Sequence, residues 1–261
     1  MADAARETER LLGIMARLRD PETGCAWDVE QTWETIAPYT IEEAYEVADA
    51  IAKGDHQGLK GELGDLLLQA VYHARIAEEA GLWDFADVAK GVADKMVARH
   101  PHVFGDAEVR TAEEQTRAWE AQKAKERGGR VLDGVALALP ALKRAEKLQA
   151  RAARVGFDWP SAEPVLKKIA EEAREVWEAR SEGADRVEEE VGDLLFVVAN
   201  LARHLGVDPE TALRRATGKF ERRFAAVEDE LARRGKTPGE STLEEMDAIW
   251  DAVRAADKAA E

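Results

Sequence analysis

The chain has 261 residues, 45% of them hydrophobic, and a formal net charge of −16 near neutral pH. That length suits one large or two ordinary domains. The acidic balance argues against a protein that clamps a nucleic-acid backbone, since such affinity comes from Lys and Arg neutralising phosphates. With Cys25 as the only cysteine, neither an intramolecular disulfide nor a thiolate zinc site can form.

Apolar residues recur at three- and four-residue spacing, and no run of alternating β-branched residues interrupts them, so the expectation is an all-α fold. Met1 to Arg19 predicts a first helix with Leu11, Leu12, Met15 and Leu18 on one face, and Asp20 to Asp28, with Pro21 and Gly24, predicts a loop. Thr40 reads as the N-cap of the next helix, with Glu43 as its capping-box partner and an end near Gly54. A helix carrying Glu62 and Asp65 follows, ending at Ala80-Gly81, and another spans Asp84 to Arg99 before His100-Pro101-His102. Glu113 to Lys125 reads as helical and leads to a linker at Glu126 to Gly129.

The second half repeats the plan. Helices are expected from Pro140 to about Val155, Ser161 to Arg180, Glu188 to Leu205, Pro209 to Arg233 and Leu243 to Ala256. The expected division is an N-terminal repeat over 1–127, a linker over 128–138 and a C-terminal repeat over 139–261. Met1 to Arg10 lacks the apolar core of a signal peptide, and no uncharged stretch approaches the ~20 residues that span a bilayer, so a soluble cytoplasmic protein is expected.

One carboxylate pattern occurs twice. Glu42-Glu43-x-x-Glu46 precedes Glu62-x-x-Asp65, and Glu171-Glu172-x-x-Glu175 precedes Glu190-x-x-Asp193. Residues three apart share a helix face, so two such helices packed antiparallel would converge four carboxylates. Crowded negative charges raise each other's pKa unless a cation neutralises them. Each Asp is followed by large apolar residues, Leu66-Leu67-Leu68 and Leu194-Leu195-Phe196, which places it near the buried edge of its helix, where an unpaired charge is costly.

A site of carboxylates without His or Cys suits Mg²⁺ or Mn²⁺, and Mg²⁺ usually works with substrate phosphates. Candidate phosphate binders follow each acidic pair: Lys95 and Arg99 in the first half, and Lys219, Arg222 and Arg223 in the second. Trp119 with Lys123, and Trp250 with Arg254, set an aromatic ring beside a cation four residues on, a pairing that stacks a base and holds a phosphate. Lys168 stands four residues before Glu172, where Tyr39 stands before Glu43. A di-iron carboxylate bundle would need Glu-x-x-His, which none of the five His residues completes.

These acidic motifs, with Gly24-Cys25-Ala26-Trp27-Asp28, Arg99-His100-Pro101-His102-Val103-Phe104, Leu139-Pro140-Ala141-Leu142 and Val155-Gly156-Phe157-Asp158-Trp159, make the chain resemble the two-repeat MazG nucleoside triphosphate pyrophosphohydrolases. The resemblance implies an all-α dimer that converts a nucleoside triphosphate and water to the monophosphate and diphosphate with Mg²⁺, clearing the nucleotide pool. It implies metal ligands at Glu172, Glu175, Glu190 and Asp193, with Glu43, Glu46, Glu62 and Asp65 as first-half counterparts. It further implies nucleotide contacts, ATP included, from Lys168, from Arg186 to Glu189, from Lys219 to Arg223, and from Trp250. Ala26 and Arg186 depart from the family's usual Pro and Lys. Glu171 or Glu189 is then the candidate base for an attacking water. A narrower dUTPase-like or phosphoribosyl-ATP-like enzyme, or a non-catalytic helical interaction module, is the alternative.

Overall fold

A computed structural model describes residues 2–106, 111, 114, 115, 118, 119 and 129–260. Every α-helix and 3₁₀ turn among the described residues agrees with the all-α expectation, and no strand occurs among them. The chain divides into two compact units, Met1–Trp119 and Glu120–Glu261.

In the first unit, α1 (Ala2–Leu18), α2 (Ala26–Glu30), α3 (Trp33–Lys53), α4 (His56–Glu79), α5 (Phe85–Arg99) and α6 (Pro101–Phe104) follow one another. The helix expected to begin at Thr40 begins about two turns earlier. Thr32 is its N-cap, forming a reciprocal capping box with Thr35, while Thr40 sits inside the helix and meets His73 Nε2 at 2.9 Å. Pro38 is accommodated within that helix. The expected loop over Asp20 to Asp28 contains the start of α2, a single helical turn.

Helices α3 and α4 form a hairpin whose turn is made by Gly54, at φ 69°, a left-handed conformation that suits glycine. Asp55 then caps α4, its carboxylate accepting from the Gly58 backbone N–H at 2.8 Å. Met15, Ile36, Val71 and Tyr72 form the core of this unit, with Leu11, Leu12, Leu68, Ile76 and Phe85 packed around it. Arg19 is buried and ties three elements together: it donates to Glu79 on α4 at 2.8 Å and to the backbone oxygens of Asp28 and Gln31.

In the second unit, α7 (Ala141–Ala153), α8 (Ala162–Ala179), α9 (Ala184–His204), α10 (Pro209–Arg233) and α11 (Leu243–Ala260) occur in the expected order. α9 starts four residues before the expected Glu188, because Gly183, at φ 125°, turns the chain directly into it. α11 also runs past the expected Ala256. Val227, Leu231 and Ile249 hold α10 against α11, and Gln149 of α7 donates to the Phe196 carbonyl of α9 at 2.8 Å. Ahead of α7, the buried Arg151 guanidinium takes the carbonyls of Leu132 and Gly134, each at 3.2 Å, so the segment entering this unit is held against it. The expected linker residues Glu126 to Gly128, and Lys123, lie outside the described residues.

Candidate active site

The α8–α9 hairpin places Glu172 and Glu175 about two turns before its connection and Glu190 and Asp193 about two turns after it, so folding back sets the pairs opposite each other. Carboxylate oxygens of Glu172, Glu175 and Glu190 come within 4.8 Å of one another. Glu172 and Glu190 are each only 5% exposed, which is rare for a carboxylate and requires compensation by charge. They line a polar cleft of about 410 Å³ with Lys168, Glu175, Glu178, Glu182, Arg186, Glu189 and Asp193.

Lys168 Nζ lies 2.8 Å from both Glu171 and Glu172, and Arg186 pairs with Glu189 and Glu190 and stands 3.7 Å from Glu182. Glu171 is held below the ordinary carboxylate range by its hydrogen bond and charge attraction to Lys168. Glu175 is pushed up by burial and by the neighbouring Glu172, Glu171 and Glu190 carboxylates, against the opposing pull of Lys168. Both candidate bases are exposed and ion-paired; Glu189 lines the cleft, and Glu171 is not among the lining residues.

In the α3–α4 hairpin, carboxylate oxygens of Glu43, Glu62 and Asp65 come within 4.8 Å of one another. Burial, then the charges of Asp65 and Glu46, push Glu43 up, and burial and Glu46 do the same to Glu62. No ion pair from a described Lys or Arg reaches these four carboxylates.

The remaining expected residues sit elsewhere. Lys95 and Arg99 are on α5, where the Arg99 carbonyl accepts from Gln115 at 3.1 Å and from the Trp119 indole at 2.8 Å. Trp119 packs edge-on against His100 at 4.9 Å between ring centres. Lys219, Arg222 and Arg223 lie along α10: Arg222 donates to the Gly218 carbonyl, and Arg223 pairs with Asp257 at 2.7 Å. Trp250 packs on the α10–α11 core and against Phe220 at 5.3 Å, and Arg254 approaches Asp251 at 3.9 Å. None of these α10 and α11 residues lines the carboxylate cleft. Glu178 and Glu182 do line it, although sequence reasoning passed them over; their signal is the continuation of Glu171 and Glu175 at helical spacing.

The carboxylate oxygens that converge in the cleft, those of Glu172, Glu175 and Glu190, come from two helices and are buried or half-buried, while the expected ligand Asp193 lines the cleft exposed and outside this group. That set fits a hard divalent cation of the Mg²⁺ or Mn²⁺ type. The description of the MazG nucleotide pyrophosphohydrolase domain matches residues 31–104 and 161–227, the two hairpins with their flanks. The chain belongs to the MazG family. A nucleoside triphosphate pyrophosphohydrolase of Escherichia coli K12 is 51% identical over 95% of this chain and 97% of its own length. In Thermotoga maritima, a nucleoside triphosphate pyrophosphohydrolase/pyrophosphatase MazG is 42% identical over 99% of this chain and its whole length. A third relative, the nucleoside triphosphate pyrophosphohydrolase of Mycobacterium tuberculosis, is 39% identical over 60% of this chain and 49% of its own length. Family membership removes the non-catalytic module from consideration. Among the described residues, no helix is long and apolar enough to cross a membrane.

Proposed function

We propose that this MazG protein hydrolyses nucleoside and deoxynucleoside triphosphates to the monophosphate and diphosphate in the cytoplasm, clearing the nucleotide pool, and that the α8–α9 cleft is the hydrolytic site. The observation that carries this reading is the pairing of buried carboxylates with basic side chains in one cleft. Glu172, Glu175, Glu190 and Asp193 would hold Mg²⁺, which when bound polarises phosphate oxygens and an attacking water. Lys168 and Arg186 stand at the rim to receive triphosphate oxygens, Arg as a planar fork and Lys as a point charge. Glu189, in the cleft, is better placed than Glu171 to orient the water.

Lys219, Arg222 and Arg223 on α10 and Trp250 on α11 do not line that cleft; we propose that they meet the part of the nucleotide that extends beyond it, the cations at phosphate and the Trp250 ring at the base. We further propose a homodimer, in which a second copy covers exposed apolar residues of the hairpins such as Leu63, Leu67, Leu195 and Phe196. Phosphorus NMR of the products tests the central claim. Monophosphate and diphosphate should appear in equal amounts and only with Mg²⁺ or Mn²⁺; orthophosphate with the nucleoside diphosphate, or full turnover in EDTA, would sink it.

A further inference from the structure

Lys168 and Arg186 each stand four residues before a buried cleft carboxylate on the same helix, Glu172 on α8 and Glu190 on α9. A pair at this spacing is set by the helix itself and needs no partner from elsewhere in the fold. Both acceptor side chains are 6% exposed, so leaving either unpaired is costly. The same oxygens are the candidate cation ligands, and an oxygen bound tightly to an ammonium or guanidinium has little left for a divalent ion that demands close octahedral contacts. We propose that Lys168 and Arg186 are resident counterions that compete with the divalent cation, so that the cleft takes up cation and triphosphate together rather than the cation alone.

The proposal rests on the hydrolase reading above. When the cation claims Glu172 and Glu190, the freed Lys168 and Arg186 need new anionic partners inside a polar cleft, and triphosphate oxygens supply them. A cation without its nucleotide leaves two displaced positive charges beside it and is therefore disfavoured. The first unit provides the contrast within one chain: the positions four residues before Glu43 and Glu62 hold Tyr39 and Gly58, neither of which is a cation.

Binding of Mn²⁺ without nucleotide, followed by the electron paramagnetic resonance signal of free Mn²⁺, tests this on the full-length protein. Every sample carries Glu62→Gln and Asp65→Asn, so that the second unit is read alone. Arg186→Met and Lys168→Met should each tighten Mn²⁺ binding by about tenfold, as expected for removal of a competing positive charge. Lys167→Met is the control, because it removes the same charge from the same helix while Lys167 pairs, among the described residues, only with Glu163, at 2.9 Å; its affinity should match the parent's. Unchanged or weaker binding in both variants, with circular dichroism of the folded protein, would overturn the exchange and leave the hydrolase reading intact. Absence of Mn²⁺ binding both without nucleotide and with an α,β-methylene triphosphate would overturn both.

Discussion

The acidic pairs of the two hairpins differ in what stands four residues before them. Glu62 has Gly58 there, and its pKa is raised by burial and by Glu46. A carboxyl whose folded pKa lies above its unfolded value contributes stability that is present at low pH and lost as pH rises through the folded pKa, so at neutral pH ionised Glu62 opposes folding. Glu62→Gln should therefore raise the melting temperature of the protein in EDTA, and the gain should disappear at acidic pH; scanning calorimetry at two pH values checks it. Glu172 has Lys168 there and is a proposed cation ligand. Glu172→Gln and Asp193→Asn keep the shape of the side chain but remove a ligand charge, so each should lower kcat by about 100-fold or more while far-ultraviolet circular dichroism stays unchanged. Wild-type turnover in either variant would show that the residue is not a ligand.

At the scale of elements, unit 1 depends on the Arg19–Glu79 clamp between the end of α1 and the end of α4. Burial raises the Glu79 carboxyl, but the hydrogen bonds and charges of Arg19 and Arg75 outweigh it and hold the net value below the usual range. Such a group stabilises the fold above its unfolded pKa, about 4.3 for Glu, and the contribution is lost as pH falls through the folded value. Arg19→Met strands the Asp28 and Gln31 carbonyls and leaves Glu79 to Arg75 alone, so we expect a loss of about 2 kcal/mol at neutral pH that shrinks below pH ~4; urea titrations at both pH values measure it.

The sequence announced the hairpins clearly, since the acidic pairs, Gly54 and Gly81 mark helix faces and ends by local rules. It did not announce where α3 begins, because Thr40 and Glu43 satisfy the capping-box pattern as well as Thr32 and Thr35 do, and only tertiary packing of Ile36 on Met15 and Val71 decides between them. The Arg186–Glu190 pair was legible as an i,i+4 spacing. The separation of the α10 basic residues from the cleft was not, because it depends on how helices pack rather than on any local pattern.

For the whole molecule, the question is which of two similar hairpins performs hydrolysis. The first keeps its four carboxylates but has Tyr39 and Gly58 where the second has Lys168 and Arg186. Gly58 is also constrained by its surroundings: a Cβ there would lie 2.4 Å from Asp55 Oδ2, the other oxygen of the carboxylate whose Oδ1 caps α4, so a side chain at 58 would require that carboxylate to shift. In the second hairpin, α9 begins instead after Gly183, with no side-chain cap, and leaves position 186 free to carry Arg. A triphosphate brings about four negative charges near neutral pH, and preorganised positive groups are worth most where the leaving group gathers charge. Hydrolysis is therefore expected to run on the second unit, with the first as a cation-binding copy that supports the assembly. Steady-state kinetics on paired variants decides it: Asp193→Asn should remove nearly all triphosphate turnover, and Asp65→Asn, in the other unit, should leave most of it. Equal losses in the two variants would mean that both hairpins hydrolyse, and the reverse pattern would move the active site to α3 and α4.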